Sequence, residues 1–477
     1  MALETWLIKV KTALSHTLDN PKTLLRRKPS FSSSKPKRVA VLAFEVAGVM
    51  SKLLHLWQSL SDANVVRLRN DAVPIEGVHK LISNDESFLL SLVVAEFADS
   101  LRLVADSVTR LSQRCHDPSL RSFHRVFTEF ANSGLDPHAW TLTTSKEIES
   151  RHRKLERYVT LTATLHREMD ELSLLENALR KTLHNNNEQP CSYQKIHDLQ
   201  QKIFWQRQEV KSLKERSLWN KGFDGVVSLL VRFVFTVLAR IKVVFGVGHS
   251  SVPSLSRSLS ASATVYPSDQ SQQPTSSFPF VSGPLKRSKL GEENEGFESG
   301  FFESNCKVLK PGPSTLGGSA LALHYSNLII VMEKMIKSPP LVGVDARDDL
   351  YGMLPSSIRS RLRSRLRGVG FSACDDPMLA GEWRDALGRI LGWLSPLAHN
   401  MIKWQSERSY EQQNFVQKTN VLLLQTLFFA NKDKTEAAIT ELLVGLNYVW
   451  RFEREMTAKA LFECSKFNGL LSLHKSS

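Results

Sequence analysis

The sequence predicts an all-α protein: two helical domains, a long antiparallel helical hairpin and a disordered Ser/Pro-rich linker. Three observations predict it. Apolar residues recur at i, i+3, i+4 and i+7 along most of the 477 residues, the period of one helix face. Strand-like alternation is nowhere sustained. The stretch 248–313 is rich in Ser, Pro and Gly and poor in long apolar side chains, so it lacks the surface needed to order itself. The expected boundaries are a basic flexible arm at 1–38, an N-terminal helical domain at 39–130, the hairpin and an amphipathic helix at 131–247, the linker at 248–313 and a C-terminal helical domain at 314–473.

The arm carries nine Lys and Arg against two acids. Arg26, Arg27 and Lys28 are separated by a Ser-rich spacer from Lys35, Lys37 and Arg38. Two readings stand: two clusters suited to the acidic groove of a nuclear-import receptor, or a solvated tail. Arg27-x-x-Ser30, and Arg257-x-x-Ser260 in the linker, suit a basophilic kinase, whose phosphate would cancel local positive charge. Lys9 and Lys11 interrupt the first apolar residues, so no secretory signal is expected. The basic, acid-poor start leaves an organelle transit peptide as an alternative.

Val39, Leu42, Val46, Val49, Leu53, Trp57 and Leu60 mark a helix with a wide apolar face, and Glu45 sits at its edge. That acid is read either as buried with a specific partner or as a boundary residue paired with Lys or Arg. Helices follow at about 61–70, 75–83, 85–115 and 118–130, with Asn84-Asp85 as a cap signal. A long helix is expected over 140–183, its seam running through Leu155, Tyr158, Thr162, Leu165, Met169, Leu172 and Leu179. A second seam runs through Ile196, Leu199, Ile203, Val210 and Leu213. Two such helices joined by a turn form an antiparallel hairpin, packed within the chain or as a coiled coil with a partner.

Val226–Val247 is the most apolar run. Arg232, Arg240 and Lys242 interrupt it, at about 2–3 kcal/mol each near a bilayer centre, so a spanning helix is not expected. A buried helix or docking on an anionic membrane surface is.

Residues 314–336 read as one helix capped by Ser314 or Thr315, with a stripe of Leu321, Tyr325, Leu328, Ile329, Met332 and Ile336. Small residues from Gly317 to Ala322 would let another helix approach. A further helix begins near Pro355, with Ile358, Leu362 and Leu366 on one side. Arg359, Arg361, Arg363, Arg365 and Arg367 fan around it, either as an anionic-partner patch or as a face paired with neighbouring acids. Further helices are expected at 379–404, 411–430 and 434–467.

Two blocks carry a family resemblance. LAFEVAGVMSKLLHLWQSLSDANVVRLRNDAVPIEGVHKLISND resembles the N-terminal domain of the plant PSK-simulator family, catalogued as a domain of unknown function. TLGGSALALHYSNLIIVMEKMI followed by DDLYGMLPSSIRSRLRSRLR resembles the family's C-terminal domain of unknown function. The resemblance implies a growth-promoting plant protein acting around phytosulfokine peptide-hormone signalling and resident in the nucleus. The alternative location is the cytoplasmic face of the plasma membrane. Longer family members start Met-Gly and resemble myristoylated proteins. This chain starts Met1-Ala2, so anchoring by that route is not expected.

Chemistry is sparse. The net charge of +14 is concentrated in the arm and in residues 355–370, which argues against a nucleic-acid-coating surface over the whole protein. Five widely spaced cysteines without a CxxC argue for a reducing compartment and against structural zinc. There is no HExxH and no GxxxxGK[ST]. Gly368-Val-Gly370-Phe-Ser-Ala373 fits GxGxxA but follows an Arg-rich helix rather than a strand. His324-Tyr325 and His399-Asn400 lack a nucleophile, an acid partner or metal-ligand spacing. No catalytic, metal or cofactor residues are expected, and no small-molecule substrate. The expectation is a non-enzymatic regulatory scaffold whose partners are other proteins. Membrane or nucleic-acid association through the basic patches is the alternative.

Overall fold

The computed structural model describes residues 38–72, 74–184, 190–246, 300–338, 343–367, 377–411 and 421–473. Among them are fifteen helices and no strand. The only β contacts among the described residues are isolated bridges, Arg38 with Gly222 and Thr315 with Asn431.

The first core gathers α1 (Ala43–Ser59), α2 (Asp62–Arg67), α3 (Glu76–Leu81), α4 (Glu86–Ser112), α5 (Pro118–Arg121) and α6 (Phe123–Ser133). The Asn84-Asp85 signal works as expected: Asp85 Oδ1 accepts the Ser87 N–H at 2.9 Å, satisfying one orphan donor of α4. α1 buries the stripe Val46, Val49, Met50 and Leu53, and Glu45 at its edge is exposed. By length and composition Ala40–Ser59 could cross a membrane. Its apolar face is the one that builds this core.

The hairpin is α7 (Ser145–His184) and α8 (Pro190–Arg216). Its arms run antiparallel: Leu165 packs with Val210 and Leu213, while Arg207 reaches Glu176 at 2.7 Å. α7 starts at Ser145 rather than near Trp140. Asp136 accepts the N–H groups of Trp140 and Thr141 at 3.0 and 2.7 Å, holding a turn there. Trp140 then packs edge-on against Phe235.

The apolar run is α9 (Phe223–Phe245), the central helix of the first core. Phe233, Val234, Phe235 and Val237 are fully buried. Two of its cations find carbonyls. Arg240 Nε donates to the Leu60 carbonyl at 3.2 Å and its guanidinium pairs with Asp62. Lys242 Nζ donates to the Phe130 and Ala131 carbonyls near the end of α6, at 3.0 and 2.7 Å. Burial lowers the Lys242 pKa. That is how a core helix accommodates charges within an apolar run.

Most of the expected linker lies outside the described residues. Its last part is ordered: α10 (Phe301–Leu309) sets Phe302 against Phe127, and the Phe301 N–H donates to Asn132 Oδ1 at 2.8 Å. Phe301, Phe302 and Leu309 pack against the first core and hold a short helix that the surrounding Ser, Pro and Gly conceal.

The second core gathers α11 (Ala322–Lys337), α12 (Val344–Met353), α13 (Ser356–Leu366), α14 (Pro377–Glu411) and α15 (Lys432–Leu473). α11 begins at Ala322, not at Ser314. Residues 314–321 instead lie along 428–432: Leu316 N–H donates to Ala430 O at 2.9 Å, and Gly317 N–H to Phe428 O at 2.8 Å. A Cβ on Gly317 would stand 2.6 Å from the Phe428 carbonyl oxygen. The small residues serve close backbone pairing with a loop rather than contact between two helices. Of the helix expected at 411–430, residues 412–420 lie outside the described residues. Residues 421–431 form a strap containing one 3-10 turn, Leu423–Gln425.

The two cores interlock. Leu81 of α3 is buried in the second core, and Asn431 N–H donates to its carbonyl at 2.8 Å. Leu423, Leu424 and Phe429 of the strap are buried in the first core. Arg38–Ser477 accordingly forms one compact unit.

Candidate functional site at the seam of two helical cores

A cavity of about 700 Å³ lies at the seam, where the strap crosses between the cores. α1 supplies Lys52 and Leu56, α4 supplies Glu96, Phe97, Leu103 and Val104, α14 supplies Trp404, Glu407 and Arg408, and the strap supplies Leu422 and Gln425. Its volume falls within the range of small-molecule sites, and it lies where such sites concentrate, between packed units.

Glu96 is the chemical centre of this region. Its carboxylate accepts the Leu423 N–H at 2.8 Å, tying α4 to the strap. Burial pushes its pKa from 4.5 to about 7, opposed by that hydrogen bond, by Arg408 and by the Trp404 indole N–H. Arg408 in turn lies over the Trp404 ring, 3.9 Å from its centroid. Glu407 Oε1 is buried and has no hydrogen-bond partner. Sequence reading missed both glutamates. A signal for Glu96 was present: it is the lone acid between Leu89 and Ala98. Glu407 has none, because its burial depends on a distant strap.

The arginine helix is as expected in its apolar stripe: Ile358 and Leu362 are buried, and Leu366 is half-buried. Four of its guanidinium groups pair with neighbours at the surface. Arg361 pairs with Asp433 at 2.8 Å and stands 3.8 Å from Glu436, and Arg365 pairs with Glu441 at 2.7 Å. Arg363 donates to Tyr351 Oη at 2.8 Å. Arg359 donates to Gly352 O at 2.8 Å and lies over the Tyr351 ring. Arg367, at the end of the helix, is exposed.

Behind this face is a buried polar cluster. Glu436, only 1% exposed, receives Tyr325 Oη at 2.7 Å and Ser357 Oγ at 2.9 Å. Burial first, and then the Glu436 carboxylate, drive the Tyr325 pKa upward.

The hairpin arm presents a third feature. Beyond Leu165 no described residue of α7 is buried. Phe204 and Trp205 are 56% and 63% exposed, and Leu174 is 69% exposed. Ile203 takes the seam position, so helical pitch turns its two neighbours outward.

The other sequence candidates are placed as follows. Arg38 is exposed beside Gly222. Arg26, Arg27, Lys28, Lys35, Lys37, Ser30, Ser260 and the GxGxxA stretch lie outside the described residues. His324 Nε2 is 2.9 Å from the Met353 carbonyl, and His399 Nε2 is 2.7 Å from Glu333 Oε2. Asn400 donates to the Gln425 carbonyl at 3.1 Å. Each of these links neighbouring elements, and the acid partner that the sequence did not reveal is present in both pairs, Glu333 for His399 and Glu436 for Tyr325. Of the cysteines, Cys115 is buried, and Cys306 and Cys464 are exposed.

Together these features define an all-helical protein that joins two domains of unknown function. Residues 41–97 match the domain of unknown function DUF3475, and residues 315–403 match the protein of unknown function DUF668. Most of the chain is similar to three Arabidopsis thaliana proteins, which bears out the resemblance to the PSK-simulator family. Protein PSK SIMULATOR 1 is 26% identical over 93% of this chain and 61% of its own length. Protein PSK SIMULATOR 3 is 26% identical over 87% of this chain and 57% of its own. Protein PSK SIMULATOR 2 is 25% identical over 89% and 62%. The chain thus spans about three fifths of the length of these relatives. No solved structure matches it.

Proposed function

We propose that this protein is a non-enzymatic regulatory scaffold of plant growth, acting in the phytosulfokine signalling that its family resemblance implies, and that it works in the nucleus by holding other proteins. The observation that carries the reading is the hairpin arm. A body built from two interlocked cores extends an arm on which Leu174, Phe204 and Trp205 remain exposed. Aromatic anchors of this kind contribute most of the binding free energy at protein interfaces. Similarity to three proteins named as PSK simulators supports the signalling context.

The arginine helix adds little reach toward nucleic acid or an anionic membrane, because Arg361 and Arg365 spend their charge on Asp433 and Glu441. The test is proximity labelling in plant cells from the intact protein, from a form lacking residues 1–38, and from a double variant Phe204→Ser/Trp205→Ser. The scaffold reading expects nuclear partners that depart with the double variant, and loss of nuclear enrichment without the arm. The same partners from all three forms, or turnover of a small metabolite by the purified protein, would contradict it.

A further inference from the structure

We propose that the hairpin arm pairs with the arm of a second copy of this chain, α8 against α8. The inference rests on the reading of the arm as a protein-binding surface, and it names the partner. α8 carries two stripes. Ile203 and Val210 take the seam and are buried. Gln201, Phe204, Trp205 and Gln208 recur at i, i+3, i+4 and i+7 and point away from that seam. All four are exposed, and none carries a charge. The two rings meet edge-on, their centroids 5.5 Å apart. The exposed residues flanking them, Lys202, Arg207, Glu209 and Lys211, are all charged. An uncharged aromatic centre inside a charged rim is the anatomy of a protein interface.

The rim charges select the occupant. Lys202 and Glu209 are seven residues apart, so they share one flank of the stripe. A twofold axis crossing the arm between Phe204 and Trp205 sets Gln201 beside the partner's Gln208 and each aromatic pair against its copy. The same operation brings Lys202 within about 3 Å of axial register with the partner's Glu209, and does so twice. A partner of either single charge sign would meet a like charge on this flank, whereas a copy of the flank does not. Glu209 touches Arg216 at 3.5 Å, a surface contact of small worth. Arg207, on the other flank, is already paired with Glu176 at 2.7 Å.

A two-turn stripe is smaller than the patch of a standard interface, which puts this contact in the weak, transient class. Pairing through the arms also duplicates every other surface of the body, so two bound partners are held at high effective concentration.

The experiment is sedimentation equilibrium of the full chain at low salt. The proposal expects a monomer–dimer equilibrium with Kd on the order of 10–100 μM. Phe204→Ser/Trp205→Ser should be monomeric. Lys202→Glu and Glu209→Lys should each weaken pairing about tenfold, because both symmetric pairs turn repulsive. Lys202→Glu/Glu209→Lys together should restore it. Val243→Ser, an exposed apolar residue of the body, should leave it unchanged. All substituted positions are exposed, and circular dichroism confirms that each variant keeps its helix content. A monomer throughout, a dimer that survives the aromatic double variant, or a charge swap that fails to restore pairing would overturn the proposal. A monomer whose labelled partners still depart with the aromatic variant sinks the self-contact and leaves the scaffold reading standing. A dimer whose labelled partners do not depart does the reverse.

Discussion

Gly77 lies against the Trp393 carbonyl so closely that any Cβ there would overlap that oxygen and stand 2.7 Å from Leu397 Cδ1. α3, from the segment matching DUF3475, is pressed into the longest described helix of the segment matching DUF668. Gly77→Ala gains up to about 1 kcal/mol of helix propensity but must push two backbones apart, as overpacked cores do at about 1–3 kcal/mol or more. We expect a net loss of about 2 kcal/mol in chemical denaturation, with Gly225→Ala, where a Cβ meets nothing, as the unclashed comparison.

Tyr325 and Glu436 allow a second prediction. Tyr325→Phe keeps the ring and removes the hydroxyl donor 2.7 Å from a buried carboxylate. Ser357 and Arg361 still reach Glu436, so the loss is limited to about 1–3 kcal/mol. Thermal unfolding measures it directly.

The arginine helix gives a contrast between two neighbours. Arg365 pairs with the partly exposed Glu441, and such pairs contribute about 0–1 kcal/mol. Arg361 is the only described cation paired with buried Glu436, and stripping a buried charge of its partner costs more. Arg361→Ala should lower stability by about 1–2 kcal/mol, and Arg365→Ala by under about 0.5. Equal effects would mean that Glu436 does not draw on Arg361.

Glu96 makes stability depend on pH. Its folded pKa, about 7, lies above the ordinary 4.5, so between these values the folded protein holds a proton that the unfolded chain has released. The contribution is full below about pH 4.5 and is lost as pH rises through 7, a change of about 3 kcal/mol at most. Glu96→Gln should remove that slope, leaving the variant more stable than the parent at pH 8 and close to it at pH 5. Urea midpoints across this range check the sign.

Much of the fold was legible because local chemistry decided it. Asp85 caps α4 where the cap signal stood, and Leu165 meets Val210 and Leu213 where the two seams predicted a hairpin. Ile358 and Leu362 face inward as their spacing required. What was not legible depends on partners far away in the chain. Residues 314–321 look helical until they lie beside 428–432, and α10 has only a phenylalanine pair to reveal it. The strap carries apolar residues whose destination, the opposite core, leaves no periodic trace. The cavity follows from that crossing, so its acids were hidden with it, except for the lone glutamate in an apolar run.

The central structural claim is that the two matched segments fold as one interlocked body. Native-state hydrogen exchange on the full chain, with and without Gly77→Ala, tests it most directly. The account expects the slowest amides of the first core, at Leu53 and Leu101, and those of the second, at Leu328 and Leu442, to open together and to lose the same protection in the variant. Loss confined to the second core, with the first unchanged, would contradict it.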